Sequence, residues 1–183
     1  MAKSAKVIGA ACAAGLIAAL AVYAADSDSG AEVETRAALA NPPTVTCDEI
    51  ILRVRSGREG SGGGYRVVLG VVSVPQAYRP QVLPNGPPSW PYFSKAGLVV
   101  RGDSPLVHVM VPKSWRNRAA ITWGNNTGIV SALRIAPCPA AAKPWNAYAG
   151  GFYLRSRSAC VPLIFRVGER SAAVRFGLGK KCE

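Results

Sequence analysis

Along the chain the apolar positions change character near residue 47. Before it stands one long uncharged run, Val7 to Ala25; after it the apolar runs are short, rich in Val and Ile, and separated by Gly, Pro, Ser and Asn. No stretch beyond residue 47 keeps the 3.6-residue apolar period of an amphipathic helix. The runs instead read as strands: Cys47 to Arg55, Tyr65 to Val74 (the longest), Leu98 to Arg101, Leu106 to Val111, Ala119 to Trp123, Ile129 to Ile135, Gly151 to Arg155, Val161 to Val167 and Ala172 to Leu178. In the run from Leu106, period-two alternation puts Val107, Val109 and Val111 on one face and Leu106, His108 and Met110 on the other. Gly168-Glu169-Arg170 makes a short hairpin connection between the last two runs. Between Pro75 and Pro91 lie six prolines in 17 residues, which excludes a central strand or a helix. The pattern predicts an all-β domain over residues 47–183, an antiparallel β-sandwich of about eight strands with an immunoglobulin-like topology as the default and a barrel as the alternative.

The N-terminal run is a different kind of element. Lys3 and Lys6 precede its 19 residues, and Asp26 and Asp28 close it. As a helix it would span ~28 Å, about the thickness of a bilayer core. Cations before the run and acids after it place the remainder of the chain outside the cytoplasm. Residues 1–25 are therefore expected to be a signal peptide or a retained signal anchor, and residues 26–46, which are small, charged and Pro-containing, a flexible tether. Cys12 follows Gly9-Ala10-Ala11 and lacks the large apolar residue of a lipidation box.

Charge sharpens once the chain is divided there. The whole sequence carries 22 Lys and Arg against 10 Asp and Glu. Residues 1–40 hold Lys3, Lys6 and Arg36 against four acids, which leaves 19 basic and 6 acidic side chains, a net of +13, in the outward part. Such a domain has anionic neighbours in lipid head groups, wall polymers and acidic polysaccharides, and export separates it from nucleic acid. Four cysteines, Cys47, Cys138, Cys160 and Cys182, follow the export segment. An even count in an oxidising compartment reads as two disulfides. Two connectivities stand: Cys47–Cys138 with Cys160–Cys182, or Cys138–Cys160 with Cys47–Cys182. Zinc would need closer ligand pairs than these spacings provide.

Candidate chemistry is sparse. His108 is the only histidine, lies mid-strand, and has no Gly-x-Ser-x-Gly or other nucleophile motif to serve, so no catalytic residue is assigned. Asp48, Glu49, Glu59, Asp103, Glu169 and Glu183 are too scattered for a carboxylate pair or a metal site, and no cofactor is implied. Gly60-Ser61-Gly62-Gly63-Gly64 lacks the Lys and helix of a phosphate cradle. Arg101-Gly102-Asp103 is adhesion-like in composition but reads as a turn, as does the sequon Asn125-Asn126-Thr127. More suggestive are four runs that mix flat rings with hydrogen-bond donors: Trp90 to Lys95, Trp115 to Arg118, Trp145 to Tyr148 and Phe152 to Arg155. Rings stack on sugars and guanidinium groups pair with phosphate or carboxylate. Trp90, Tyr92, Trp145, Tyr148, Arg155 and Arg157 are the candidate binding residues, while Trp123, inside an apolar strand, belongs to the core.

Ala120 to Gly124, Trp145-Asn146-Ala147-Tyr148-Ala149-Gly150-Gly151-Phe152, Ala159-Cys160-Val161-Pro162-Leu163 and Gly177-Leu178-Gly179-Lys180-Lys181-Cys182 together resemble a group of exported bacterial proteins of unknown function. The resemblance implies export and a single disulfide-bonded domain, and it carries no activity. From the residues the expectation is a non-enzymatic, envelope-associated domain that binds anionic surface polymer or membrane. The alternatives are a protein-interaction module docking a partner through residues 75–91, and an enzyme of another type.

Overall fold

The computed structural model describes residues 41–57, 65–75 and 80–182. The export segment, most of the tether and the Gly/Ser loop lie outside the described residues. Among the described residues no helix is long and apolar enough to cross a membrane. In chain order the strands are β1 (Thr44–Val45), β2 (Ile50–Val54), β3 (Tyr65–Val68), β4 (Val72–Pro75), β5 (Tyr92–Lys95), β6 (Leu98–Arg101), β7 (Val107–Met110), β8 (Ala119–Trp123), β9 (Ala132–Ile135), β10 (Trp145–Tyr148), β11 (Gly150–Leu154), β12 (Ala159–Val167) and β13 (Arg170–Leu178). Two single 3₁₀ turns, Cys47–Glu49 and Lys113–Trp115, complete the set.

The chain is all-β, in three sheets of order β1-β9-β7-β12-β13, β2-β10-β6-β4-β3 and β5-β11-β8. The named ladders are antiparallel except β1 on β9, which is parallel. Because Val45 of β1 is fully buried, the folded part reaches back past Cys47 into the stretch expected to be tether.

Two departures from the sequence pattern have clear causes. Tyr65 to Val74 reads as one strand but folds as the β3–β4 hairpin, turning at Leu69 (φ 55°) and Gly70 (φ 77°). Two successive residues with positive φ, inside a three-residue loop, make a tight turn that the Val71 amide closes on the Val68 carbonyl, and apolar Leu69 hides it from a composition scan. The second is in the Pro-rich segment, where Leu83 and Phe93 exchange backbone hydrogen bonds of 2.8 and 2.9 Å and extend the edge of the three-stranded sheet. The chain turns between them at Pro87–Trp90, and a side chain on Gly86 would meet the Trp90 carbonyl. Prolines are thus tolerated at an edge, as expected. Pro162 of β12 sits where that strand is paired with β13 only, since β7 joins it from Ile164 onwards.

The alternation in β7 appears as read: Val107, Val109 and Val111 are fully buried, and His108 and Met110 are half-exposed. The core is mainly Val, Leu and Ile, with a cluster of rings at its centre. Phe152 of β11 lies 5.1 Å from Phe176 of β13 and 5.5 Å from Trp123 of β8. The Trp123 indole donates to the Ala96 carbonyl at 2.8 Å, satisfying its one polar atom. Of the two connectivities the structure forms Cys47–Cys138 and Cys160–Cys182. The second closes the open end of the β12–β13 hairpin, whose turn is at Gly168-Glu169.

Candidate functional site

The register of the three-stranded sheet assembles most of the candidate residues. Tyr92 pairs with Leu154, and Leu154 pairs with Ala119, so this row is the first of β5, the last of β11 and the first of β8. Trp90 precedes the row, Arg155 and Arg157 follow it, and Trp115 and Arg118 precede it on the third strand. All leave the sheet at one end. The Arg155 amide donates to the Arg118 carbonyl at 3.2 Å and carries the ladder one step further.

Three guanidinium groups there lie against rings. Arg118 is 4.0 Å from the Trp115 ring centre, Arg155 5.1 Å from that of Trp90, and Arg157 5.9 Å from that of Tyr92. Arg157 also donates from Nε to the Tyr92 hydroxyl at 3.3 Å, and Arg118 from Nη2 to the Ser114 carbonyl at 2.9 Å. A ring holds a guanidinium in place without neutralising it and leaves its edge donors available. The three arginines are exposed, the three rings half-buried. Among the described residues the ion pair that forms is Arg101–Asp103, at 2.6 Å, and none of these three arginines meets a carboxylate.

Beside this end lies an apolar row. Alternation turns Phe152 and Leu154 inward and Tyr153 outward, where it pairs with Phe93 and Ala120. The Phe93 and Tyr153 rings are 4.9 Å apart and tilted by 45°. Leu83, paired with Phe93 and 41% exposed, extends the row. Arg155, two residues beyond Tyr153, borders it.

Two candidates fall elsewhere. Trp145 is in β10, between Val54 and Arg101, with its ring packed over Gly57. Tyr148 is not a surface residue: it is fully buried, its hydroxyl has no hydrogen-bond partner, and burial pushes that hydroxyl up to about 12. The strand that carries both is fixed by Asn146, whose Nδ2 donates to the Cys138 carbonyl at 2.8 Å while its Oδ1 accepts from Arg53 at 2.9 Å. Arg118 and Trp115 belong to a run that the sequence marks as mixing rings and cations, but only the register shows that it reaches the same end as Arg155.

The remaining motifs are structural. Arg101 and Asp103 pair with each other across a turn closed by the Ser104 amide and the Arg101 carbonyl. Gly102 lies so close to the Cys138 carbonyl that a side chain would not fit. Thr127 of the sequon is buried and donates to the Trp123 carbonyl at 2.8 Å. Buried Glu49 accepts from the Thr46 amide at 2.9 Å and from the Asn126 amide at 3.1 Å, tying the start of the domain to that turn. His108 faces Arg134 and Arg166 on the neighbouring strands, and desolvation, then these two charges, lower its pKa. Among the described residues no three His, Cys, Asp or Glu side chains converge as metal ligands. No protein family, curated protein or solved structure matches the chain.

Proposed function

We propose that this is a non-enzymatic, exported, envelope-associated domain that binds anionic surface polymer at the arginine–ring end of its three-stranded sheet. The observation that carries the reading is that Arg118, Arg155 and Arg157 converge there, each held by a ring and none opposed by a carboxylate among the described residues. Ring-held guanidinium groups lose little further freedom when an anion arrives, so their charge is preorganised. The adjoining Leu83–Phe93–Tyr153 row offers an apolar strip for sugar faces, which suits a charged glycopolymer better than a bare ion. The +13 balance of the outward part and the N-terminal export pattern agree with such a location. We read the architecture as a β-sandwich, with the five-stranded sheet that carries β12 packed on the three-stranded sheet through the Phe152–Phe176 contact. Three sheets and a parallel β1–β9 ladder go beyond the two antiparallel sheets of the immunoglobulin pattern.

The test is binding of the full chain to isolated anionic envelope polymer, titrated with salt. Binding should be measurable at low ionic strength and weaken steeply as the Debye length shrinks from about 10 Å at 0.1 M to about 3 Å at 1 M. No binding at low ionic strength refutes the reading. The exposed Leu83 in an edge hairpin favours a second reading, a protein partner docking on the Pro-rich segment. Leu83→Asp should then abolish a co-purifying complex that high salt and excess anionic polymer leave intact in the unsubstituted chain.

A further inference from the structure

The outer face of the five-stranded sheet carries a cationic row unrelated to the arginine–ring end. The ladders align Thr44, Arg134, His108, Arg166 and Ser171 side by side across all five strands. This row points away from the core, since its neighbours Val107 and Val109 are fully buried. Adjacent strands lie ~4.8 Å apart, so the two arginines begin ~10 Å from each other with the imidazole between them. Both side chains are long enough to close over it. The row contains no acid. Glu169 is in the turn beyond it and pairs with none of the three, and Arg175 lies further along β13.

Arg134 is half-buried and incompletely satisfied. Its Nη2 donates to the Asn41 side chain at 2.9 Å, whereas its Nε is buried without a partner. A ligand oxygen above His108 would supply the acceptor that this Nε lacks. Arg166 is exposed and makes no ion pair among the described residues. Three nitrogen donor groups therefore flank one point on the sheet with no acceptor of their own between them. A tetrahedral oxyanion presents oxygens in several directions and so can meet all three.

We propose that Arg134, His108 and Arg166 form a binding site for a phosphate group. Bound phosphate offsets the two arginine charges that oppose protonation of His108, so binding and proton uptake at the imidazole reinforce each other. Affinity rises as pH falls through the His108 titration. The groups facing His108 from its two neighbouring strands are Arg134 on β9 and Arg166 on β12, and both act in this sense.

The chain has one histidine, so its imidazole proton signals identify themselves in an NMR titration. The full chain is titrated in sodium chloride, in sodium phosphate at matched ionic strength, and in chloride with phosphatidylglycerol/phosphatidylcholine vesicles. The expected result is a His108 pKa raised by about half a unit or more, equivalent to about threefold tighter phosphate binding by the protonated form. A rise with inorganic phosphate assigns a free or polymer phosphate; a rise only with vesicles assigns a lipid head group. In either case Arg166→Gln and Arg134→Gln should each reduce the response. A pKa unchanged in both arms overturns the site, as does a rise that persists undiminished in both variants. The site is independent of the arginine–ring end: an intact His108 response in a chain that fails to bind polymer would sink the proposed function alone.

Discussion

β10 and β11 are consecutive, both contain aromatic residues, and they use them in opposite ways. In β10 Tyr148 is fully buried and Trp145 lies over Gly57, with Asn146 anchoring the strand to the chain beside a disulfide. In β11 Phe152 enters the core, but Tyr153 faces outward and the strand runs on into Arg155 and Arg157, which meet Trp90 and Tyr92. Composition does not separate the two. What separates them is the neighbour: β10 is flanked by β2 and β6, while β11 ends beside two other strand starts that also bring rings and arginines. At the end of β11 three strands finish together and a guanidinium lies against each of three rings, an arrangement that β10 lacks.

The contrast can be broken from either side. The largest effect should come from the disulfide next to β10. Closing a loop with a sequence separation of 91, Cys47–Cys138 stabilises the fold by about 4–5 kcal/mol in the chain-entropy picture, against about 3 for Cys160–Cys182 with its separation of 22. Chemical denaturation of Cys47→Ser/Cys138→Ser and of Cys160→Ser/Cys182→Ser should show that order. Tyr148→Ala should cost about 3–5 kcal/mol, as for other large core rings, yet leave polymer binding per folded molecule unchanged. Arg155→Ala/Arg157→Ala should do the reverse. Melting would move by less than about 1 kcal/mol, because exposed cation–ring pairs are worth little, while polymer affinity at low salt falls about tenfold. Equal loss of stability in this double variant and in Tyr148→Ala would erase the distinction between the strands.

Two smaller effects sharpen it. Tyr148→Phe removes a buried hydroxyl that has no partner, so stability should hold or rise by up to about 1 kcal/mol. Lowered in the folded state, the His108 pKa implies that the unfolded chain takes up the proton first. Its contribution is therefore fully present above the ordinary histidine value of about 6.5 and is lost as pH falls from there through the folded-state value. His108→Gln should flatten that decline in a series of melts across pH 5–8.

Much of the fold was legible from period-two patterning. The buried faces of Val107, Val109 and Val111 and the core position of Trp123 follow from residue type and spacing alone, as does the hairpin at Gly168-Glu169-Arg170, of which Arg170 proves to be the first residue of β13. An unbroken apolar run conceals a turn, and so the Leu69-Gly70 hairpin was not visible. Strand β10 gave no alternation from which to choose the buried ring, and Tyr148 consequently looked as available as Tyr92. The binding candidates were half legible for the same reason. Trp90, Tyr92, Arg155 and Arg157 were identifiable by kind, but their meeting, and the addition of Arg118, depends on which strands pair. So did the choice between two disulfide connectivities.

The corner between β10 and β11 gives this arrangement a further meaning. Gly150 adopts φ 155°, and a side chain there would collide with the Thr122 carbonyl, so only glycine fits at the corner where the chain passes from one sheet to the next. The bend ends one sheet and begins another, which insulates the anchored strand from the displayed one. Substitutions at Tyr153, Arg155 and Arg157 should then leave Asn146 and Tyr148 undisturbed. A domain built this way can vary its displayed end while its anchored strand stays as it is.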